Sequence, residues 1–191
     1  MTAKFPDSSL LLHPQIPKPL HLHNPRTILG EDWWIEQRQL AYEKHNYQCY
    51  ACGVHKLQAE YYQRLDAHET YSIDYTTGKL EFIDIVALCY ACHNFIHYGR
   101  MQMLVAKGEF EESEYKAIMA RGRAILKLSG VRDNRKRKLD KLAVLGKVCG
   151  WRDWHLVIDG VNYGQRFHSH SEWQQYWIMN SKMVKGGEDG F

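Results

Sequence analysis

Two Cys-x-x-Cys pairs constrain the fold of this chain more than any other feature of its sequence. The first pair is Cys49 and Cys52, and the second, far along the chain, is Cys89 and Cys92. Four thiolates are the number that a tetrahedral Zn²⁺ requires, and each pair is short enough to bind the ion from a single turn. We therefore expect a structural zinc site that joins two distant parts of the chain.

The second cysteine pair runs directly into His93 and His97. Residues four apart share one face of a helix, so a helix that begins at this pair would offer its imidazoles to a neighbouring site. His97 is expected to be a helix-face residue packed near the zinc knuckle, with a place in the metal site as the alternative. Cys149, which has no partner in the pattern, is expected to be a small buried apolar side chain.

The overall composition limits the class of protein. Hydrophobic residues make up 45% of the chain and aromatic residues 13%, which excludes wholesale disorder. No apolar stretch is long enough to span a bilayer, and the N-terminus lacks the pattern of a signal peptide, so we expect a cytoplasmic protein without a membrane partner. A net charge of +3 does not by itself indicate a nucleic-acid-binding protein, so local charge clusters must carry that argument.

The chain divides into three predicted segments. Residues 1–29 contain all five prolines and are expected to form an extended arm. Residues 30–108 form the zinc domain with a leading amphipathic helix from about Glu31 to Asn46. Residues 109–191 form a helical and hairpin extension. The arm also carries His13, His21 and His23, which we interpret as solvated tail residues, with a short metal-binding tract as the alternative.

Between the cysteine pairs the pattern predicts strand, loop and strand. The first strand candidate ends at His68, and a second β element follows from Tyr71 to Ile83 around a turn at Thr76–Lys79. The extension carries Asp159-Gly160, a favoured two-residue hairpin turn, and then a helix from Ser171 to Ile178. The fold class is therefore α+β.

One stretch resembles a known family of nucleases. The order is Cys-x-x-Cys, then Leu65-Asp66-Ala67-His68-Glu69, then Asp84-Ile85-Val86-Ala87-Leu88-Cys89-x-x-Cys92-His93-x-x-x-His97. This order is similar to that of the HNH endonucleases of the zinc-containing treble-clef type, and the resemblance covers residues 49 to about 100. It implies a small ββα-metal core, stabilised by zinc and flanked by helices.

The resemblance also implies roles for four residues. His68 and His93 fall on the family's metal-ligand positions, Glu69 on the position of its general-base histidine, and Asp84 on that of its middle asparagine. The implied catalytic ion is Mg²⁺, Mn²⁺ or another divalent ion. Two alternatives stay open: His68 acts as the base while Glu69 and His93 hold the ion, or both histidines only support the zinc cluster through hydrogen bonds.

Two functions follow from this resemblance. The first is hydrolysis of phosphodiester bonds in nucleic acid, with DNA as the expected substrate. Arg64, Arg100 and the basic run at 132–138 are then candidate phosphate contacts. The second is an HNH-derived zinc module, bacterial or from a phage, that has lost its base and binds nucleic acid or a protein partner. In either case the C-terminal extension could serve a homodimer or a partner protein.

Overall fold

The structure is a computed structural model, and it describes residues 6 to 183. Residues 1 to 5 of the predicted arm and 184 to 191 of the predicted extension lie outside this range. The fold is α+β, as the sequence predicted. The division into three segments stays a prediction. The helices and strands, in chain order, are α1 Pro25–Leu29, α2 Glu31–Lys44, β1 Leu65–Asp74, β2 Lys79–Cys89, α3 Tyr90–Ile96, α4 Tyr98–Ala106, α5 Glu112–Leu128, α6 Arg135–Val144, β3 His155–Ile158, β4 Val161–Asn162 and α7 His170–Met183.

The sheet has four strands in the order β1-β2-β3-β4. β1 and β2 form a long antiparallel pair whose register runs from Leu65 opposite Cys89 to Asp74 opposite Lys79. A register shift between Thr70 and Tyr71 interrupts this ladder. The sequence predicted a loop there, which is wrong. The extra residue of this bulge is Ile83 of β2, which has no partner in β1, so β1 itself continues as one strand from Leu65 to Asp74.

The C-terminal hairpin belongs to the same sheet as the strands between the cysteine pairs. β3 pairs with β2 in parallel, and β4 pairs with β3 antiparallel. Asp159 and Gly160 at its turn have φ values of 49° and 78°. Left-handed backbone at both central residues is the requirement of the tight turn that Asp-Gly favours. The predicted hairpin is confirmed.

The N-terminal arm is folded rather than extended, so that prediction is wrong. It forms 3₁₀ turns at Ser8–Leu12 and Lys18–Leu20, and then α1, whose first residue is Pro25. Proline is favoured at the first position of a helix because the missing N–H has no partner there in any case. Leu11 and Leu20 are 1% and 0% exposed. The arm therefore contributes to the interior of the protein.

Two clusters of buried side chains hold the elements together. The larger one surrounds the four cysteines and joins Leu11, Leu88 and Phe95 to Ile118 of α5. The smaller one joins Leu20 to Leu80 and to Trp154 beside β3. Because each cluster includes a leucine of the arm, the arm is packed at both ends of the sheet. Within residues 6 to 183, no helix has both the length and the apolar character needed to cross a membrane.

Candidate metal centre

The four cysteines converge at the junction of the sheet and α3. Cys49 and Cys52 lie in a loop after α2 that is closed by a β-bridge between Gln48 and His55. Cys89 is the last residue of β2, and Cys92 lies in the first turn of α3. Their sulfurs all lie within 4.8 Å of one another, and three of the four residues are fully buried.

The spacing of the sulfurs matches a metal site and not a disulfide. The Sγ atoms of Cys52 and Cys89 are 3.8 Å apart, whereas a disulfide bond is about 2.05 Å long. Tetrahedral ligands at the usual Zn–S distance of about 2.3 Å lie about 3.8 Å from one another. The observed separation is therefore the one that a shared tetrahedral ion requires.

The pKa shifts of the four cysteines also indicate that the cluster needs a bound cation to hold four thiolates. Hydrogen bonds from Cys49, Cys89 and Cys92 lower the pKa of the Cys52 thiol, because they stabilise one thiolate in the cluster. Hydrogen bonds to Cys49 and Cys52, together with burial, raise the pKa of Cys92. The pKa of Cys49 is also lowered and that of Cys89 is also raised, so two thiolates are favoured at the expense of the other two. Four thiolates can therefore coexist there only around a positive ion.

Arg121 of α5 places a positive charge beside the cysteines. It pairs with Glu60 at 2.7 Å, and the pKa of its guanidinium is raised, against its burial, by Glu60 and by Cys52. A four-thiolate zinc site carries a net negative charge, so a nearby guanidinium stabilises it. This contact was not foreseen, because α5 lies outside the region of resemblance.

Three imidazoles form a second cluster directly beside the first. His68 comes from β1, His93 from the end of the first turn of α3, and His97 from the residue that joins α3 to α4. One nitrogen from each ring lies within 4.8 Å of the others. The structure thus brings His68 and His93 together, as the sequence predicted, and adds His97.

The geometry of these imidazoles fits a metal ion. His97 Nε2 and His68 Nδ1 are 3.2 Å apart. Two ligands of a tetrahedral ion at the usual Zn–N distance of about 2.0 Å lie about 3.3 Å from one another. The three rings meet edge to face, with interplanar angles of 64° to 84° and centroids 4.7 to 5.4 Å apart.

Asp66 orients His93 within this cluster. Its Oδ2 atom lies 3.3 Å from His93 Nδ1, which leaves His93 Nε2 directed elsewhere. Burial opposes ionisation of Asp66, but the hydrogen bond to His93 and the charges of His93, Arg64 and Arg100 outweigh it and lower the pKa of the carboxyl group. A carboxylate behind an imidazole is the usual support of a metal-ligating histidine. The sequence analysis assigned no role to Asp66.

His68 has a buried nitrogen that no described residue satisfies. Its side chain is 4% exposed, and among residues 6 to 183 its Nε2 atom has no hydrogen-bond partner. An unsatisfied buried polar atom costs about 1 to 3 kcal/mol. Burial, followed by the proximity of His93 and His97, lowers the pKa of His68 well below its ordinary value, so the ring is neutral and able to donate a lone pair.

Glu69 and Asp84 do not join the imidazoles in the described part of the chain. The Glu69 carboxylate accepts a 2.6 Å hydrogen bond from the Tyr71 hydroxyl, and burial raises its pKa. Glu69 follows His68 on one strand, where successive side chains point to opposite faces. Asp84 forms an ion pair with Lys44 of α2 and accepts a hydrogen bond from its neighbour's N–H. The prediction that both act at the metal-ligand site of His68 and His93 therefore finds no geometric support.

His13 of the arm packs against the imidazole cluster. It is 8% exposed, not solvated as predicted, and its ring centroid lies 5.0 Å from that of His68. Its backbone carbonyl accepts a 3.2 Å hydrogen bond from Arg135, which belongs to the basic run at 132–138. The other two arm histidines bond backbone carbonyls, His21 that of Ile16 and His23 that of Tyr163, so neither is a free tail residue.

No protein-family model, curated protein or solved structure matches this chain. The candidate site therefore stands on its own geometry.

The residues that the sequence analysis missed share one property: their partners lie far away in the chain. His13 is distant from His68 in sequence, and Asp66 from His93. A signal was present for His97, since it lies four residues after His93 on the same helical face. A signal was also present for Asp66, because residues 66 and 68 of a strand point to the same face. No local pattern marks His13.

Proposed function

We propose that this chain is a metal-dependent nuclease of the HNH type that hydrolyses phosphodiester bonds in nucleic acid, with DNA as the first substrate to test. The observation that carries the proposal is the convergence of ring nitrogens from His68, His93 and His97 within 4.8 Å of one another. Buried imidazoles of this kind are either hydrogen-bonded or bound to metal.

The proposal includes a treble-clef core with a structural Zn²⁺. Two features support it: the loop of Cys49 and Cys52 is closed by a bridge, and the second pair lies where β2 passes into α3. β1, β2 and α3 then have the order of a ββα-metal unit. A set of four thiolates favours zinc among the divalent ions of the cell.

The three nitrogen ligands of the histidine cluster narrow the choice of the metal ion expected there. The resemblance implies Mg²⁺ or Mn²⁺, but Mg²⁺ prefers oxygen ligands and keeps much of its water. Three imidazoles suit Zn²⁺, Ni²⁺ or Co²⁺ better. An ion held by the three histidines would act as a Lewis acid on a phosphate oxygen. We therefore expect activity with these ions to exceed activity with Mg²⁺.

The charges around the imidazoles suit a polyanionic substrate. Arg64 lies 3.4 Å from Asp66, and Arg100 follows His97 in the first turn of α4. Arg135 connects the basic run to His13 beside the site. Neutralised phosphates contribute a large share of nucleic-acid affinity, and the contribution falls with added salt. The phosphates of a nucleic-acid strand bound across the imidazoles could therefore contact these three arginines.

One observation favours the second candidate function, an HNH-derived binding module. Glu69 stands at the position of the family's general base, and its carboxylate is engaged by Tyr71. An enzyme without that base depends entirely on the metal ion to activate the attacking water. The same charged surface would then bind nucleic acid without cutting it.

A cleavage assay separates the two functions. Supercoiled plasmid is incubated with protein whose cysteine site is loaded with zinc, and Co²⁺, Ni²⁺, Zn²⁺, Mn²⁺ or Mg²⁺ is added. Cleavage that His68→Ala, His93→Ala and His97→Ala each reduce by at least about 100-fold identifies the enzyme. His168→Ala is the matched control, because that imidazole is exposed. Binding of labelled DNA without cleavage under every metal identifies the module.

A further inference from the structure

His13 has the geometry of a functional residue rather than of a packing residue. It comes from the arm, outside the region of resemblance, and is among the few buried polar side chains of the described chain. Its ring meets that of His68 edge to face, at an angle of 86°. A phenylalanine or leucine would fill this space without the cost of burying polar nitrogens.

The tautomer of His13 is fixed by the backbone of β1. The Tyr71 N–H donates a 2.9 Å hydrogen bond to His13 Nε2. This N–H can have a partner outside the ladder because β1 is an edge strand of the sheet. A neutral imidazole that accepts at Nε2 carries its proton at Nδ1. His13 therefore offers one N–H donor, at Nδ1.

The arm is anchored on both sides of His13. Asp7 N donates to the Tyr50 carbonyl, beside the first cysteine pair. Gln15 Nε2 donates to the carbonyl of Ile96, next to His97. Arg135 holds the carbonyl of His13 itself. These contacts leave the His13 ring little conformational freedom. A residue that recognises a ligand by a single hydrogen bond needs to be held in place in this way.

We propose that His13 is a fourth imidazole of the site, and that its Nδ1–H binds an anionic oxygen of a phosphate group held at His68, His93 and His97. This rests on the proposed metal-dependent function and adds a residue that the resemblance does not include. A neutral donor suits this role, because it stabilises an anionic oxygen without competing for the metal ion as a ligand.

Phosphate binding to the Co²⁺-loaded protein tests this role without any measurement of cleavage. Zinc is kept in the cysteine site, Co²⁺ is titrated into the histidine site, and inorganic phosphate is then added while the visible Co²⁺ spectrum is followed. His13→Phe keeps a ring of similar size but has no nitrogen. We expect it to bind Co²⁺ within about threefold of the unmodified protein and phosphate about tenfold more weakly.

Two further variants control the experiment. His13→Asn places an N–H close to the former Nδ1 position, so we expect it to recover part of the phosphate affinity. His23→Phe changes an arm histidine whose Nε2 lies 3.1 Å from the Tyr163 carbonyl, away from the cluster, and should alter neither affinity. Zinc content and near-ultraviolet circular dichroism show that each variant is folded.

The outcomes distinguish this inference from the proposed function. Unchanged phosphate affinity in His13→Phe would show that His13 only packs, and would overturn the inference alone. Loss of Co²⁺ binding in His13→Phe, with the fold intact, would also overturn it, because His13 would then be a ligand. Failure of the unmodified protein to bind Co²⁺ outside the cysteine site would overturn the proposed function as well.

Discussion

At the scale of single residues, Asp66 determines how His93 faces the other two imidazoles. Its carboxylate occupies His93 Nδ1, so only Nε2 remains for a metal ion. This arrangement depends on side chains that point to the same face of β1, since Asp66 and His68 are two positions apart. Asp84, to which the resemblance gave a role at this site, is instead paired with Lys44 on α2.

These two carboxylates give a matched pair of variants. Asp66→Ala should weaken binding of Co²⁺ or Zn²⁺ to the histidine site by about 10- to 100-fold, because the ring of His93 loses its support. Asp84→Ala should leave that affinity unchanged. The affinities are measured by isothermal titration calorimetry, in which the metal ion is added to protein whose cysteine site is already loaded with zinc. A loss with Asp84→Ala and none with Asp66→Ala would restore the assignment made from the resemblance.

At the scale of secondary-structure elements, α3 is held against α5 by a glycine. A Cβ atom at Gly122 of α5 would lie 2.1 Å from the Phe95 ring of α3. Since α3 carries Cys92 and His93, this close approach helps to position both the cysteine cluster and the histidine cluster. Glycine inside a helix is unfavourable by about 1 kcal/mol relative to alanine, so its presence here has a packing reason.

Gly122→Ala should therefore destabilise the protein by about 1 to 3 kcal/mol in spite of the better helix propensity. Gly99→Ala is the control, because a Cβ atom at Gly99 in α4 would meet no atom of residues 6 to 183 within 4 Å. That change should be neutral or stabilise by about 0.5 kcal/mol. Urea unfolding, followed by circular dichroism, gives both values. Equal effects of the two substitutions would contradict the packing role.

The docking of α7 depends on the protonation state of His21. Trp173 of α7 donates its indole N–H to His21 Nδ1 at 3.1 Å, and His21 Nε2 lies 3.0 Å from the Ile16 carbonyl. Burial, followed by the nearby charge of Lys18, lowers the pKa of His21 against the effect of the backbone hydrogen bond. His21 is thus neutral in the folded protein and accepts a proton more readily when unfolded.

Acidification should therefore release α7. The stabilisation is fully present above the unfolded pKa of about 6.5, and it is lost as the pH falls from there through the lowered folded value. The indole N–H signal of Trp173 in NMR spectra should weaken over this range. His21→Gln, which does not titrate, should remove the effect, whereas His170→Gln, which changes the exposed ring stacked on Trp173, should not. Tighter docking at low pH would contradict this account.

Patterns of adjacent residues predicted some secondary-structure elements correctly and others incorrectly. The Asp159-Gly160 hairpin and α2 follow from residues adjacent in sequence, so the sequence predicted them. The continuous strand β1 and the folded arm depend on contacts with distant residues, such as the hydrogen bond from the Tyr71 N–H to His13. The same division holds for the site. The cysteine pairs and His93 lie in a local motif, whereas Asp66 and His13 gain their roles only in the folded chain.

At the scale of the whole molecule, the cysteine cluster joins α2, the sheet and α3, and it lies inside the larger core. Metal binding to such a cluster is coupled to folding, because the site does not exist in the unfolded chain. Cys92→Ser, or removal of zinc by a chelator, should therefore unfold the protein. Cys149→Ser, which lies outside the cluster, should melt close to the unmodified protein. Melting is measured by circular dichroism, and normal melting of Cys92→Ser would argue against a shared ion.

We propose that this chain builds two adjacent metal sites, one of thiolates and one of imidazoles. The most direct test is zinc X-ray absorption with metal counting on zinc-saturated protein, compared with a variant in which His68, His93 and His97 are all alanine. We expect two ions per chain with mixed sulfur and nitrogen ligands in the unmodified protein, and a single ion with four sulfur ligands in the variant. The same count and the same ligands in both proteins, or no bound zinc in either, would contradict the claim.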